Sequence, residues 1–159
     1  MWNRAITTAL AGIGTAQLLK VPLNYMETGT WDWKKLFGSG DMPSSHSAAV
    51  TSLTTYVALR RGVPSIDFGV SSIFSLIVMY DAMGIRWQAG QTAIAVNDMY
   101  EQLEKLADKH PDFAYKKREN ELKEMLGHMP IEVLGGAALG IAVGAVCYLT
   151  EGNEKKKKA

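Results

Sequence analysis

Eight side chains able to bind or transfer a phosphoryl group stand beside the ends of four uncharged stretches: Lys20, Ser44, Ser45, His46, Asp81, Arg86, His128 and Glu132. Lys20 and Arg86 can neutralise phosphate oxygens, Arg through a planar fork and Lys as a point charge. Pro43-Ser44-Ser45 reads as a helix start, where serine oxygens cap free backbone amides and the unsatisfied N–H groups favour an anion. His46 falls in that first turn. One imidazole can attack phosphorus while the other protonates the leaving oxygen. Glu132 follows His128 by one helical repeat, so the two share a face; the carboxylate can then hold one ring nitrogen and present the other. Asp81 is a supporting candidate. Each residue also has a simpler use. Lys20 can snorkel to an interface, Arg86 can pair with Asp81, Glu132 can complement a helix dipole after Pro130, and His128 can end a loop. A metal site built from His46, Asp81, His128 and Glu132 is a weaker alternative; the preferred reading requires neither metal nor cofactor.

These residues converge only if the intervening elements run the right way. Residues 5–19, 42–59, 68–80 and 133–150 contain no Asp, Glu, Lys or Arg. A membrane-spanning helix needs about 20 mostly apolar residues, with roughly 17 as a lower limit. The fourth stretch meets that limit alone, the second meets it with many Ser and Thr, and the first and third reach it by including Lys20 and Asp81. Small residues favour a membrane bundle over a soluble one: Ala11, Gly12 and Gly14 in the first stretch, and Gly135, Gly136, Gly140 and Gly144 in the fourth. Glycine weakens helices in water, whereas in lipid it lets helices approach closely. Four segments running up and down bring the end of the first, the start of the second, the end of the third and the start of the fourth to one face. Those are the places that hold the eight residues.

Residues 21–41 read as a connector with Pro22 and the interfacial pair Trp31 and Trp33. Residues 87–127 form an amphipathic and polar helical insertion. Within it Val96, Met99, Leu103 and Leu106 recur at helical spacing, Glu101 and Lys105 form an i,i+4 pair, Pro111 ends the first helix, and a second short helix covers residues 119–126. The expected organisation is a single all-α membrane domain over residues 1–150, with about four spanning helices, and a basic disordered tail at 151–159. Hydrophobic content of 47% with net charge +1 argues against disorder and against a nucleic-acid binder relying on bulk positive charge. The single Cys147 excludes an internal disulfide and any multi-cysteine metal site.

The stretch Ser39-Gly40-Asp41-Met42-Pro43-Ser44-Ser45-His46-Ser47-Ala48 resembles the signature of the divergent type-2 phosphatidic acid phosphatase family, which is related to vanadium-dependent haloperoxidases. Tyr80-Asp81-Ala82-Met83-Gly84-Ile85-Arg86 and Leu126-Gly127-His128-Met129-Pro130-Ile131-Glu132-Val133 resemble its other two blocks. The resemblance implies a helical, metal-independent phosphatase acting on a lipid phosphate or prenyl (di)phosphate through a phosphohistidine. By motif, Lys20 is similar to the first-motif phosphate-binding lysine, Ser44 to a phosphate ligand with Ser45 beside it, and His46 to the general acid. Arg86 is similar to the third-motif arginine, His128 to the nucleophile and Glu132 to its orienting acid. The expected partners are that substrate and membrane lipids, with homo-oligomerisation left open and no nucleic acid. The first motif's Arg-Pro pair has no counterpart after Lys20. That favours the alternative of a non-catalytic membrane protein that binds an anionic lipid or phosphate, or scaffolds a partner through its amphipathic insertion.

Overall fold

A helix rich in Ser and Thr can stand in hydrocarbon only if its hydroxyls find partners. The computed structural model, which describes residues 3–36, 38, 41–110, 122 and 128–157, satisfies this by putting that helix in the middle. In chain order the helices are α1 (Arg4–Thr28), α2 (Ser45–Arg61), α3 (Ile66–Met83), α4 (Ile85–Lys109) and α5 (Pro130–Lys157), with a 3-10 turn at Trp33–Leu36. α2 packs against α1, α3 and α5. Its hydroxyls bond back to their own helix and outward to each neighbour. Thr51 Oγ1 donates to the Ser47 and Ala137 carbonyls at 2.6 and 3.2 Å. Ser52 Oγ donates to the Ala49 and Thr8 carbonyls at 2.9 and 3.2 Å. Thr54 meets Ser75 at 2.7 Å, and Ser75 Oγ also lies 3.0 Å from the Val50 carbonyl.

Glycines bring the helices this close. A Cβ on Gly140 would sit 2.5 Å from the Ala48 carbonyl oxygen, and one on Gly144 would sit 2.5 Å from that of Ser52. A Cβ on Gly12 of α1 would sit 2.7 Å from the same Ala48 oxygen. The outer surface is apolar in turn: Leu18, Met26, Ile66, Val70, Ile77, Leu134 and Leu149 are all well exposed. Polar inside and apolar outside is the arrangement of an all-α membrane bundle. Among the described residues, three helical runs are long and apolar enough to cross a membrane: Arg4–Thr28, Ile66–Lys109 and Pro130–Glu151. α2, the fourth helix of the bundle, is the one they enclose.

Two boundaries differ from expectation. α1 does not stop at Lys20; it continues through Val21 and Pro22 to Thr28, where Gly29 caps it at φ 71°. Proline removes one backbone bond, to the carbonyl of Leu18, which lies on the exposed side of the helix, a loss that membrane helices tolerate. Lys20 therefore lies two turns inside α1, roughly 12 Å below its end at 1.5 Å rise per residue. α5 carries on past residue 150 to Lys157, into the segment read as a tail. Trp31 and Trp33 are exposed and stack in a row with Tyr25, at 4.6 and 6.1 Å between ring centroids, so they do not belong to a core.

α4 continues from α3 across Gly84 and, among the described elements, packs only on α3. It ends at Lys109, before Pro111 as expected, and the Glu101–Lys105 pair forms at 2.6 Å. Asn97 bonds both backbone groups of Leu122 at 3.0 Å. The rest of the expected second helix lies outside the described residues.

The seam generates a contrast. Gly140→Leu should force α5 off α2 and destabilise the protein by about 1–3 kcal/mol or more. Gly14→Ala, at a position with nothing within 4 Å, should be neutral or stabilising by up to about 1 kcal/mol. Thermal unfolding in detergent, followed by circular dichroism, measures both.

Candidate active site

The site forms where two helix starts meet the end of α3 and the interior of α1. α2 begins at Ser45 with Ser44 as its cap, and the Ser44 N–H donates to the Glu132 carbonyl at 3.1 Å, which ties the start of α2 to the start of α5. The His128 N–H donates to the Ala82 carbonyl at 3.0 Å, which ties the same point to the end of α3. α5 opens with Pro130, whose missing N–H is no loss there, and Glu132 reaches back so that its Oε2 accepts the Met129 N–H at 3.0 Å. This is the reciprocal half of a capping box.

The same Glu132 oxygen lies 3.0 Å from His128 Nδ1. An ionised carboxylate only accepts hydrogen bonds, so the proton of this bond belongs to Nδ1. His128 is 5% exposed. Its ring centroid lies 6.3 Å from that of His46, at 61° between planes. The two imidazoles line one cavity of about 380 Å³ together with Ile13, Gln17, Lys20, Gly38, Ser45, Ala49, Val50, Phe74 and Val78. His46 is exposed at the edge of the bundle, whereas Lys20 is 2% exposed. The Lys20 ammonium donates to the Gly38 carbonyl at 3.3 Å and feels the carboxylates of Asp41 and Glu132. The loop that supplies Gly38 is closed on itself by Lys35 and Asp41 at 2.7 Å. That hydrogen bond raises the Lys35 pKa above its ordinary value.

Of the eight candidates, Lys20, Ser45, His46 and His128 line the cavity, and Glu132 stands directly behind His128. Ser44 does not take the expected place of a phosphate ligand. It is fully buried, and its Oγ is engaged by the Ser47 amide and hydroxyl at 3.4 and 3.1 Å. Capping α2 uses the oxygen that would otherwise face an anion, and the cavity-lining hydroxyl is Ser45. Asp81 is carried in the last turn of α3, beside Ala82, and is not among the lining residues. Arg86 is the second residue of α4, and its side chain lies outside the described residues. No three His, Cys, Asp or Glu among the described residues form a metal-binding group, so the four residues of the metal alternative are not assembled into one. Gln17 and the Gly38 carbonyl are site features that motif reading misses. The available signal for Gln17 is its spacing: it precedes Lys20 by three residues, on the same helix face.

The model of the divergent PAP2 family matches residues 1–143. The chain belongs to that family. It is 42% identical over 147 residues to the membrane protein YuiD of Bacillus subtilis (strain 168), covering 91% of this chain and 93% of that one. No solved structure matches it. With this relative and its three spanning runs, the divergent PAP2 chain is a membrane protein in contact with lipid.

The dual use of Glu132 is testable. In wild type, ¹⁵N shifts of labelled histidine should show His128 protonated on Nδ1. In Glu132→Ala that preference should be lost, together with about 1 kcal/mol of stability from the helix cap.

Proposed function

We propose that this divergent PAP2 protein is a metal-independent phosphatase acting on a lipid phosphate or prenyl (di)phosphate. The observation that carries the reading is the pair of imidazoles across one cavity, His128 held through Nδ1 by Glu132 and His46 6.3 Å away, with the buried Lys20 lining the same space. In the first step His128 Nε2 attacks phosphorus. The bond from phosphorus to the lipid oxygen breaks, and protonated His46 delivers its proton to that oxygen, releasing the lipid alcohol. In the second step neutral His46 takes a proton from water. The resulting hydroxide attacks phosphorus, the P–N bond breaks, and inorganic phosphate leaves with His46 protonated and His128 Nε2 regenerated. Lys20 offsets the charge on the equatorial oxygens, Ser45 adds a hydroxyl donor, and Arg86 is assigned the second cation. Glu132 stabilises the ring charge that develops on His128 when Nε2 is phosphorylated.

The alternative is binding without turnover, or scaffolding through α4, where Met99 and Leu106 are exposed. It is favoured by the lack of an Arg-Pro pair in α1 after Lys20. Purified protein assayed on lipid phosphates in EDTA separates the readings. Hydrolysis should survive chelation, vanish in His128→Ala, and fall about 10²–10⁴-fold in His46→Ala. Turnover by His128→Ala equal to wild type refutes the mechanism. Heat protection by phosphate without any turnover selects the binding alternative.

A further inference from the structure

Two residues that line the cavity each carry a buried polar atom without a partner. Gln17 Oε1 is buried and makes no hydrogen bond, and the same is true of Ser45 Oγ on the facing helix, whose residue is 8% exposed. Leaving a buried polar group unpaired is costly. Both residues line the cavity, so a ligand there can supply what the protein does not. The phosphoryl chemistry already uses Ser45 and leaves Gln17 unassigned.

The position of Gln17 says which part of a ligand it meets. A step of three residues puts it about 4.5 Å along α1 from Lys20, away from the Gly38 loop and toward Ile13, Val50, Phe74 and Val78. The lining thus combines a cation and two imidazoles with one neutral amide and with hydrocarbon. Among the described residues α1 and α3 do not pack against each other. The apolar end lies between them, with Phe74 52% and Ile13 39% exposed on the outer surface.

We propose that Gln17 is a specificity-determining residue whose amide hydrogen-bonds an uncharged polar group, a hydroxyl, ester or amide, on the carbons next to the phosphate of an amphiphilic ligand. The ligand's chain then continues along Val78 and Phe74 between α1 and α3. This rests on reading Lys20, His46 and His128 as the phosphate end. An amide offers both a donor and an acceptor, which suits a neutral group better than a second phosphate. A prenyl phosphate carries only hydrogen on those carbons and leaves the amide unpaired, the situation in which polar sites reject their analogues most strongly.

The test measures binding, so that it stands apart from turnover. Full-length protein in nanodiscs is titrated with two non-hydrolysable phosphonates of matched chain length, an acylglycerol analogue and a prenyl analogue. Gln17→Met, close in shape, should weaken the acylglycerol phosphonate about tenfold or more and leave the prenyl phosphonate within about threefold. Equal changes for both, or none for either, overturn the assignment. If that variant does not fold, wild type suffices: it should prefer the acylglycerol phosphonate over its deoxy counterpart by about tenfold, and equal affinity overturns the assignment. Absence of hydrolysis with this binding pattern intact removes the phosphatase reading and supports the role of Gln17.

Discussion

The architecture depends on how closely the backbone of α5 can approach that of α2. Gly136, Gly140 and Gly144 recur every four residues and meet Ser44, Ala48 and Ser52, which recur at the same interval. Matching ridges of this kind lock the helices in register as well as in distance. The register is what matters for chemistry. With Gly136 against Ser44, the first turn of α5 falls level with the first turn of α2, and the Ser44 amide reaches the Glu132 carbonyl. A shift of one turn would slide one imidazole past the other by about 5.4 Å, a displacement comparable to their present separation of 6.3 Å.

The seam also explains how a lysine is held 2% exposed inside a membrane bundle. A buried ammonium is costly unless charge and hydrogen bonds offset it. Here the Gly38 carbonyl supplies a hydrogen bond, and Asp41 and Glu132 supply negative charge. Glu132 therefore acts three ways at once: it caps α5, fixes the His128 tautomer and shares the field of Lys20. The far end of the bundle uses similar means for a different purpose. There Glu151, 8% exposed, accepts from the Tyr56 hydroxyl at 2.6 Å and pairs with Arg60 at 3.1 Å. That cluster fastens the end of α2 to α5 and contains no histidine.

Much of this is legible in the sequence because charge is scarce where helices must be. The uncharged stretches mark α1, α2, α3 and α5, and their alternating directions suffice to bring Lys20, His46 and His128 to one cavity. What is not legible follows from packing. Pro22 reads as a break, yet α1 passes through it, which sinks Lys20 below the helix end. By motif Ser44 resembles the phosphate ligand with Ser45 beside it, and only the cap geometry shows that the Ser44 oxygen is turned into α2. Gln17 belongs to no block of residues that the motifs mark. Its importance appears only when its oxygen is found without a partner.

The hydroxyls of α2 bear on how the chain is made. Thr51 is paired across the bundle with a carbonyl 86 residues later in the chain, so α2 leaves the ribosome long before the helix that covers it. During that interval Thr51 and Ser52 can rely on the carbonyls of Ser47 and Ala49 within their own helix. These local bonds let a hydroxyl-bearing segment wait in or beside the bilayer without bare polar atoms. When α5 arrives, the Ala137 carbonyl is added to a hydroxyl that is already satisfied, so the late-coming helix completes the assembly without first having to break anything.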